Sequence, residues 1–345
     1  MHIQIFTDAG GFDELAAEWD DLLERSVNAP FFMRFDYQRI WWQHLGNDDL
    51  ILIAIRTDEG RLVGLAPLYR KVDSQGQRIL SFVGCVDVSD YLDLLVDAGH
   101  VEAVYEALLE TLLNRVEGWD GLYLCSLPHQ SITHSRLAQV MQAGGWQVEV
   151  SQQDVCPVIT LTATFDDYLA GIDKKQRHEV RRKMRKIERE TEVNWYAVET
   201  GDGLADAVEA FIELHQKSTQ DKEDFWSDSL IAFFKDVVQK LAESGWLKLY
   251  FIELNGVKAA TMLCFDYNNE FLLYNSGFDP EQFWNLSPGN VLTSYTIQHA
   301  IELGRSRYDF LRGDEEYKFR FGAVAEPVYD VRASRPGSNT QIAGC

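Results

Sequence analysis

Two hairpins of one design, starting 196 residues apart at Leu50 and Trp246, constrain this chain more than any other feature. Each joins two apolar runs across a tight turn. The first pairs 50–56 with 61–69 across Asp58, Glu59 and Gly60; the second pairs 246–253 with 257–265 across Asn255 and Gly256. Asn-Gly is a strong hairpin signal, because both residues tolerate the positive φ that the turn requires. A further strand follows each hairpin (78–84 and 91–96 in the first half, 270–276 in the second). Then come a helix (101–116; 289–304), a strand (121–127; 308–311) and a closing strand (146–150; 328–333). Helices precede both hairpins, over 12–26 and 36–45 in the first half and over 166–190, 204–219 and 228–244 in the second. A single repeat of this length predicts a duplicated domain and not a solenoid.

At 345 residues the chain is long for one core, so two domains are expected. No apolar run nears the roughly 18 residues of a membrane span. The N-terminus lacks the basic and apolar regions of a secretory signal, so the expectation is a cytoplasmic protein. Five cysteines, at 85, 125, 156, 264 and 345, are odd in number and widely spaced, and read as reduced thiols. His129 and His134 lack a third ligand type nearby, so no metal site is expected. A net charge of −22 argues against a DNA binder. One segment departs from that average: 174–189 holds nine Lys/Arg against two Glu. Ile172, Val180, Met184 and Ile187 form a sparse apolar stripe along it. It is either a solvated helix docked by that stripe or an anion-facing helix presenting Arg181, Arg182 and Arg185 to phosphates.

The second half ends in a dense chemical run, 308–322, YDFLRGDEEYKFRFG. A strand that empties into Arg312, Asp314, Glu315, Glu316 and Lys318 delivers acid, base and cation to its carboxyl edge, where α/β sheets place their chemistry. Just upstream, Ser287 and Pro288 read as the N-cap and first residue of a helix that stops at Gly304. The free amides and positive dipole end of a helix start bind phosphate, and Gly289 lets a phosphate approach the backbone. Ser287, Gly289 and Asn290 are therefore the candidate phosphate cradle. Neither a Gly-x-Gly-x-x-Gly nor a P-loop pattern is present, which argues against nicotinamide dinucleotides and P-loop nucleotide chemistry.

These features resemble the acetyltransferase-like family named after cellulose-biosynthesis proteins, of the GNAT superfamily and related to the Fem-type peptidoglycan aminoacyltransferases. The likeness is carried by the basic helix from Lys174, the helix opened by Ser287 to Asn290, and Tyr308 to Lys318. Asp90 to Asp93 and Gly64 to Leu68 in the first half also fit, and the likeness covers nearly the whole chain. It implies an α/β (α+β) fold of two tandem GNAT-like domains, each a mixed, mostly antiparallel sheet flanked by helices. The expected bounds are 1–158 for the N-terminal domain, 159–335 for the C-terminal acyltransferase domain and 336–345 for a flexible tail. Ordinary GNAT enzymes hold coenzyme A with Gln/Arg-x-x-Gly-x-Gly/Ala at the helix start; here the stretch is Asn285 to Asn290, with one glycine.

The implied activity is acyl transfer from acetyl-CoA or another acyl-CoA to an amine, with no metal. The acceptor is a small polar amine, for example an amino sugar of envelope polysaccharide. Asp314 or Glu315 would take the amine proton, Tyr317 would protonate the leaving group, and Lys318 or Arg312 would stabilise negative charge or pair with the carboxylates. The competing reading of this loop is an ion-pair knot closing the sheet edge. His215 lies on a helix that covers the acceptor cleft in this fold, either touching substrate or buried. Tyr274, Asn275 and Trp284 bracket the approach to the phosphate-binding helix, and Asp90 is a substrate-side candidate in the first half. Two alternatives stand beside this one: a Fem-type transferase using aminoacyl-tRNA on a peptidoglycan precursor, and a non-catalytic ligand-binding protein. A monomer or homodimer is expected.

Overall fold

The computed structural model describes residues 1–46, 49–85 and 88–337. Two units divide it: Met1–Asp154 with Pro327–Cys345, and Val155–Glu326. Residues 338–345, with Cys345 and most of the expected tail, lie outside the described residues.

The first unit runs β1 (His2–Phe6), α1 (Gly10–Arg25), α2 (Phe35–Leu45), β2 (Leu50–Arg56), β3 (Leu62–Val72), β4 (Arg78–Phe82), β5 (Leu95–Val96), α3 (Val101–Asn114), β6 (Gly121–Pro128) and α4 (Ala138–Ala143). A long strand β7 (Gln147–Thr160) carries the chain into the second unit. The continuous apolar run of β2 is buried from Leu50 to Ile55, as an inner strand demands. Sheet order is β1-β2-β3-β4-β6, and β6 pairs antiparallel with Val328–Ser334 near the chain end. β4 and β6 are parallel, with α3 in the connection between them. That pairing overturns the reduced-thiol expectation for two of the five cysteines. Cys85 and Cys125 are 40 residues apart in sequence but 6.3 Å apart at Cα, and form a disulfide. Cys156 and Cys264 are buried and belong to no disulfide among the described residues.

The second unit runs α5 (Phe165–Gly171), α6 (Lys174–Glu190), β8 (Val193–Val198), α7 (Leu204–Ser218), α8 (Gln220–Asp224), α9 (Asp228–Glu243), β9 (Leu247–Leu254), β10 (Val257–Tyr267) and β11 (Glu270–Phe278). It continues with α10 (Pro288–Glu302), β12 (Arg307–Asp309), the short α11 (Glu316–Arg320) and the start of β13 (Val324–Ser334). The helix expected over 166–190 is two helices. Asp173 breaks it, its carboxylate accepting from the amides of Lys175 and Gln176 as the cap of α6. Asn255 and Gly256 turn the hairpin with φ of 52° and 79°. Sheet order is β7-β12-β11-β10-β9-β8, and β11 and β12 are parallel across α10. Val180 and Ile187 of α6 and Val291, Leu292, Tyr295 and Ile297 of α10 share one core with Tyr250, Phe271 and Tyr308 of the sheet. Among the described residues, no helix is long and apolar enough to cross a membrane.

Candidate active site

β11 and β12 part company early. Their parallel ladder covers only Glu270, Phe271 and Leu272 against Arg307, Tyr308 and Asp309. Beyond it, β11 continues to Phe278 on β10, while the chain after β12 turns toward β7: Phe310 donates to the Pro157 carbonyl at 3.0 Å and Gly313 to that of Val155 at 3.0 Å. A slip in the β10–β11 register between Leu263 and Cys264 leaves Tyr274 without a directly opposed residue. The result is a split in the sheet, with backbone groups of β11 facing it.

The start of α10 is set by two left-handed residues, Phe283 (φ 56°) and Ser287 (φ 54°). Ser287 stands at the N-cap as expected, but its side chain makes no capping bond. Gly289 faces open space: a Cβ built there would meet nothing within 4 Å. Ahead of the helix, Lys186 donates to the Asn285 carbonyl at 2.9 Å. A cavity of ≈ 80 Å³ beside this start is lined by Asn290, Ser294, Lys183, Gln176, Arg320 and Phe321, among others. Burial lowers the pKa of Lys183 against the opposing charge of Glu179.

Arg181, Arg182 and Arg185 belong to the exposed side of α6. Arg181 pairs with Asp166 (3.0 Å), Arg182 with Glu179 (2.7 Å), and Arg185 donates to the Arg181 carbonyl. At about 100° per residue, Gln176, Val180, Lys183 and Ile187 share an arc of roughly 60°, and those arginines fall about 100° to 200° from Val180. Lys183 and Arg320 were thus missed in the sequence. For Lys183 the signal was present, in its helical spacing from the buried Val180 and Ile187.

The loop after β12 is wound around Lys318. This side chain is 3 % exposed, and its ammonium donates to the carbonyls of Leu311 (3.3 Å), Arg312 (2.9 Å) and Gly313 (3.0 Å). Glu315 adds a carboxylate at 2.8 Å. Three N–H protons face four acceptors, so the cation is saturated. The winding forces Leu311 to φ 55° and Gly313 to φ 113°, and a Cβ on Gly313 would lie 2.5 Å from Oε2 of Glu315. Asp309 holds the turn by accepting from the Leu311 amide at 2.7 Å. Asp314 is exposed, and Glu315 is ion-paired but 58 % exposed. The ring of Tyr317 packs edge-on against Phe310. Its hydroxyl has no hydrogen-bond partner among the described residues. Burial, with the charge of Glu315, holds its pKa well above the ordinary phenol value. The Tyr317 phenol is therefore protonated at neutral pH.

His215 is 3 % exposed and both ring nitrogens are engaged. The Trp226 indole donates to Nδ1 at 3.1 Å, so the proton sits on Nε2 and is given to Oδ1 of Asn275 at 3.0 Å. His215 orients Asn275, which is half-buried. Tyr274 is buried between the rings of Phe234 and Phe265. Trp284 is 73 % exposed. Lys222, on α8, was not singled out in the sequence as a site residue. It donates to the Ser276 carbonyl on β11, burial lowers its pKa, and the charges of Glu315 and Lys318 act on it.

Burial, and next the charge of Lys222, hold His215 at a pKa of about 4, against an ordinary 6.5. The unfolded chain therefore takes up this proton first as pH falls. Stability present above pH 6.5 should be lost progressively down to about pH 4, by roughly 3 kcal/mol at most. Denaturant titrations at several pH values check this: His215→Gln should flatten the slope between pH 6.5 and 4. An unchanged slope would assign the acid sensitivity elsewhere.

The first unit repeats the parallel pair and crossing helix but not the open helix start. Ahead of α3, the Asp97 carboxylate accepts from the Gly99 amide (2.9 Å) and contacts His100 Nδ1 (3.1 Å), and Glu102 lies in the first turn. The Asp97 carboxylate thus already occupies this helix start, itself paired with Arg25, and Glu102 pairs with Arg136. Asp90 is 9 % exposed in this unit. Nearby Asp93 is buried, accepting from Thr133 (2.6 Å), Asn28 (3.2 Å) and the Leu94 amide (2.8 Å).

Residues 174–319 match the family model of the acetyltransferase (GNAT) domain. No curated protein matches the chain. Among solved structures, FemX is similar over 96 % of this chain and 97 % of its own, at 13 % identity and a TM-score of 0.66. The C-terminal domain of a putative lysylphosphatidylglycerol synthetase from Agrobacterium fabrum follows at 11 % identity, covering 93 % and 92 %, with a TM-score of 0.57. A tandem GNAT protein from the clavulanic acid biosynthesis pathway covers 98 % and 100 % at 15 % identity, with a TM-score of 0.50. At these identities the likeness establishes the fold. It is mixed α/β and GNAT-like, with a tandem GNAT protein among its structural neighbours.

Proposed function

We propose that residues 155–326 are an N-acyltransferase, moving an acyl group from an acyl-CoA, acetyl-CoA foremost, to the amine of a small polar acceptor such as an amino sugar of envelope polysaccharide. One observation carries this reading: the β11–β12 split lies between an open helix start and a protonated tyrosine. An extended pantetheine chain suits the strand edge that β12 leaves past Leu272. The first-turn amides at Gly289 and Asn290, with Lys183 and Arg320, suit its phosphates. Asp314 or Glu315 takes the proton of the attacking amine, and Tyr317 gives one to the departing thiolate.

Calorimetry with CoA tests this. Gly289→Val should raise Kd at least tenfold with the fold intact, since the new methyls enter open space at the helix start and clash with no atom of the fold. Replacing Lys183 and Arg320 with Gln should weaken binding several-fold and flatten its salt dependence, whereas replacing Arg181, Arg182 and Arg185 should do neither. No CoA binding at all would end the reading. A chain that bound charged tRNA and ignored CoA would be an aminoacyl-tRNA-dependent transferase.

A further inference from the structure

We propose that Lys222 is the cation that meets the negative charge developing on the acyl oxygen during transfer, an assignment that rests on the acyl-transfer reading above. Two lysines act on this part of the cleft, and they differ in what they have left to give. Lys318 has three N–H protons against four acceptors, all belonging to the loop it holds. Lys222 has one hydrogen bond among the described residues, to the Ser276 carbonyl, and so keeps two N–H protons. Ser276 lies past Leu272, where β11 has lost β12, so this carbonyl faces the split. The ammonium therefore stands at the edge along which the donor would run, within electrostatic reach of Glu315 and the saturated Lys318.

A merely structural cap would not need a charge there. Two residues further along the same edge, the Ser218 hydroxyl accepts from the Phe278 amide at 2.8 Å, its single proton lying 2.8 Å from the Leu214 carbonyl of its own helix and 3.3 Å from the Phe278 carbonyl. A neutral side chain thus closes that position. A cation held half-buried at Ser276 is worth most to a charge that appears only in the transition state, because the low local dielectric strengthens the attraction.

The step balances without Lys222 exchanging a proton. The amine nitrogen bonds to the acyl carbon while the carbonyl π pair moves onto oxygen, opposite the ammonium. The oxygen pair then re-forms the C=O bond as the C–S bond breaks. The thiolate leaves with that bond's electrons and takes the Tyr317 proton. The surplus amine proton goes to Asp314 or Glu315, and from the carboxyl it returns to the phenolate.

Thiol release from acetyl-CoA, with hydroxylamine as a small amine acceptor, tests the assignment in the full-length protein. Lys222→Met should lower kcat about 100-fold, with the Kd for CoA within twofold and the melting temperature within 2 °C of wild type. Lys222→Arg, which keeps the charge, should recover at least a tenth of the wild-type rate. Lys222→Met retaining kcat within threefold would overturn the proposal. So would a rate loss matched by an equal loss of CoA affinity, or no rescue by Arg, either of which would make the residue a cap. If wild type neither binds CoA nor releases thiol, the acyl-transfer reading falls and this assignment with it.

Discussion

Replacing Lys318 with methionine should lower the melting temperature by roughly 10 °C. The substitution keeps the volume but removes every donor from a group that is 3 % exposed. The carbonyls of Leu311, Arg312 and Gly313 then lose the ammonium that they share. A buried acceptor left unsatisfied costs about 1–3 kcal/mol, so three amount to at least ~3 kcal/mol. For a unit of this size, each kcal/mol moves the midpoint by about 2–4 °C. The same bonds hold Leu311 at a φ that leucine disfavours, so the winding should relax with them. Calorimetry would read the shift. A midpoint within 2 °C of wild type would mean that water or a rearranged loop supplies the missing donors.

Tyr317→Phe should do the opposite: cut turnover by about 100-fold and leave the melting temperature within 2 °C. The hydroxyl bonds to nothing among the described residues, so the fold loses no contact with it. The ring keeps its edge-on packing against Phe310. On the acyl-transfer reading, the lost oxygen is the proton source for the leaving thiolate, and general acid catalysis contributes about 10²–10⁴ in rate. At 100-fold the barrier rises by roughly 3 kcal/mol. Steady-state kinetics with acetyl-CoA should place this loss in kcat, the donor KM changing little. Full activity in Tyr317→Phe would remove the tyrosine from the chemistry.

The two outcomes separate residues that look alike in sequence. Lys318 and Tyr317 are neighbours in one charged run, and both were expected as chemistry. The loop reads as an ion-pair knot around the first and as a half-buried phenol at the second. That is the ordinary consequence of a short helical turn, which sends adjacent side chains in different directions.

What the chain announces by itself is local. Asn255-Gly256 between apolar runs specifies a hairpin, Pro288 after a cap position specifies a helix start, and a strand running into Arg312–Lys318 specifies a charged loop. Each signal spans only a few residues, and the hydrogen bonds that enforce it close within that span. Recurrence of the same order 196 residues later announces duplication. The rest was decided by pairing between distant segments. The parallel ladder of β4 and β6 brings Cys85 to Cys125. The chain end, from Val328 to Ser334, returns to the first unit against β6. In the second unit, packing of α6 on α10 turns Lys183 toward the helix start and the arginines toward solvent. Parting of β11 from β12 creates the edge that Lys222 meets. Cations of one chemical type thus receive different work, Lys318 saturated and Lys222 with protons to spare. A residue's type sets what it can bond, but only long-range contacts decide which acceptors lie within its reach.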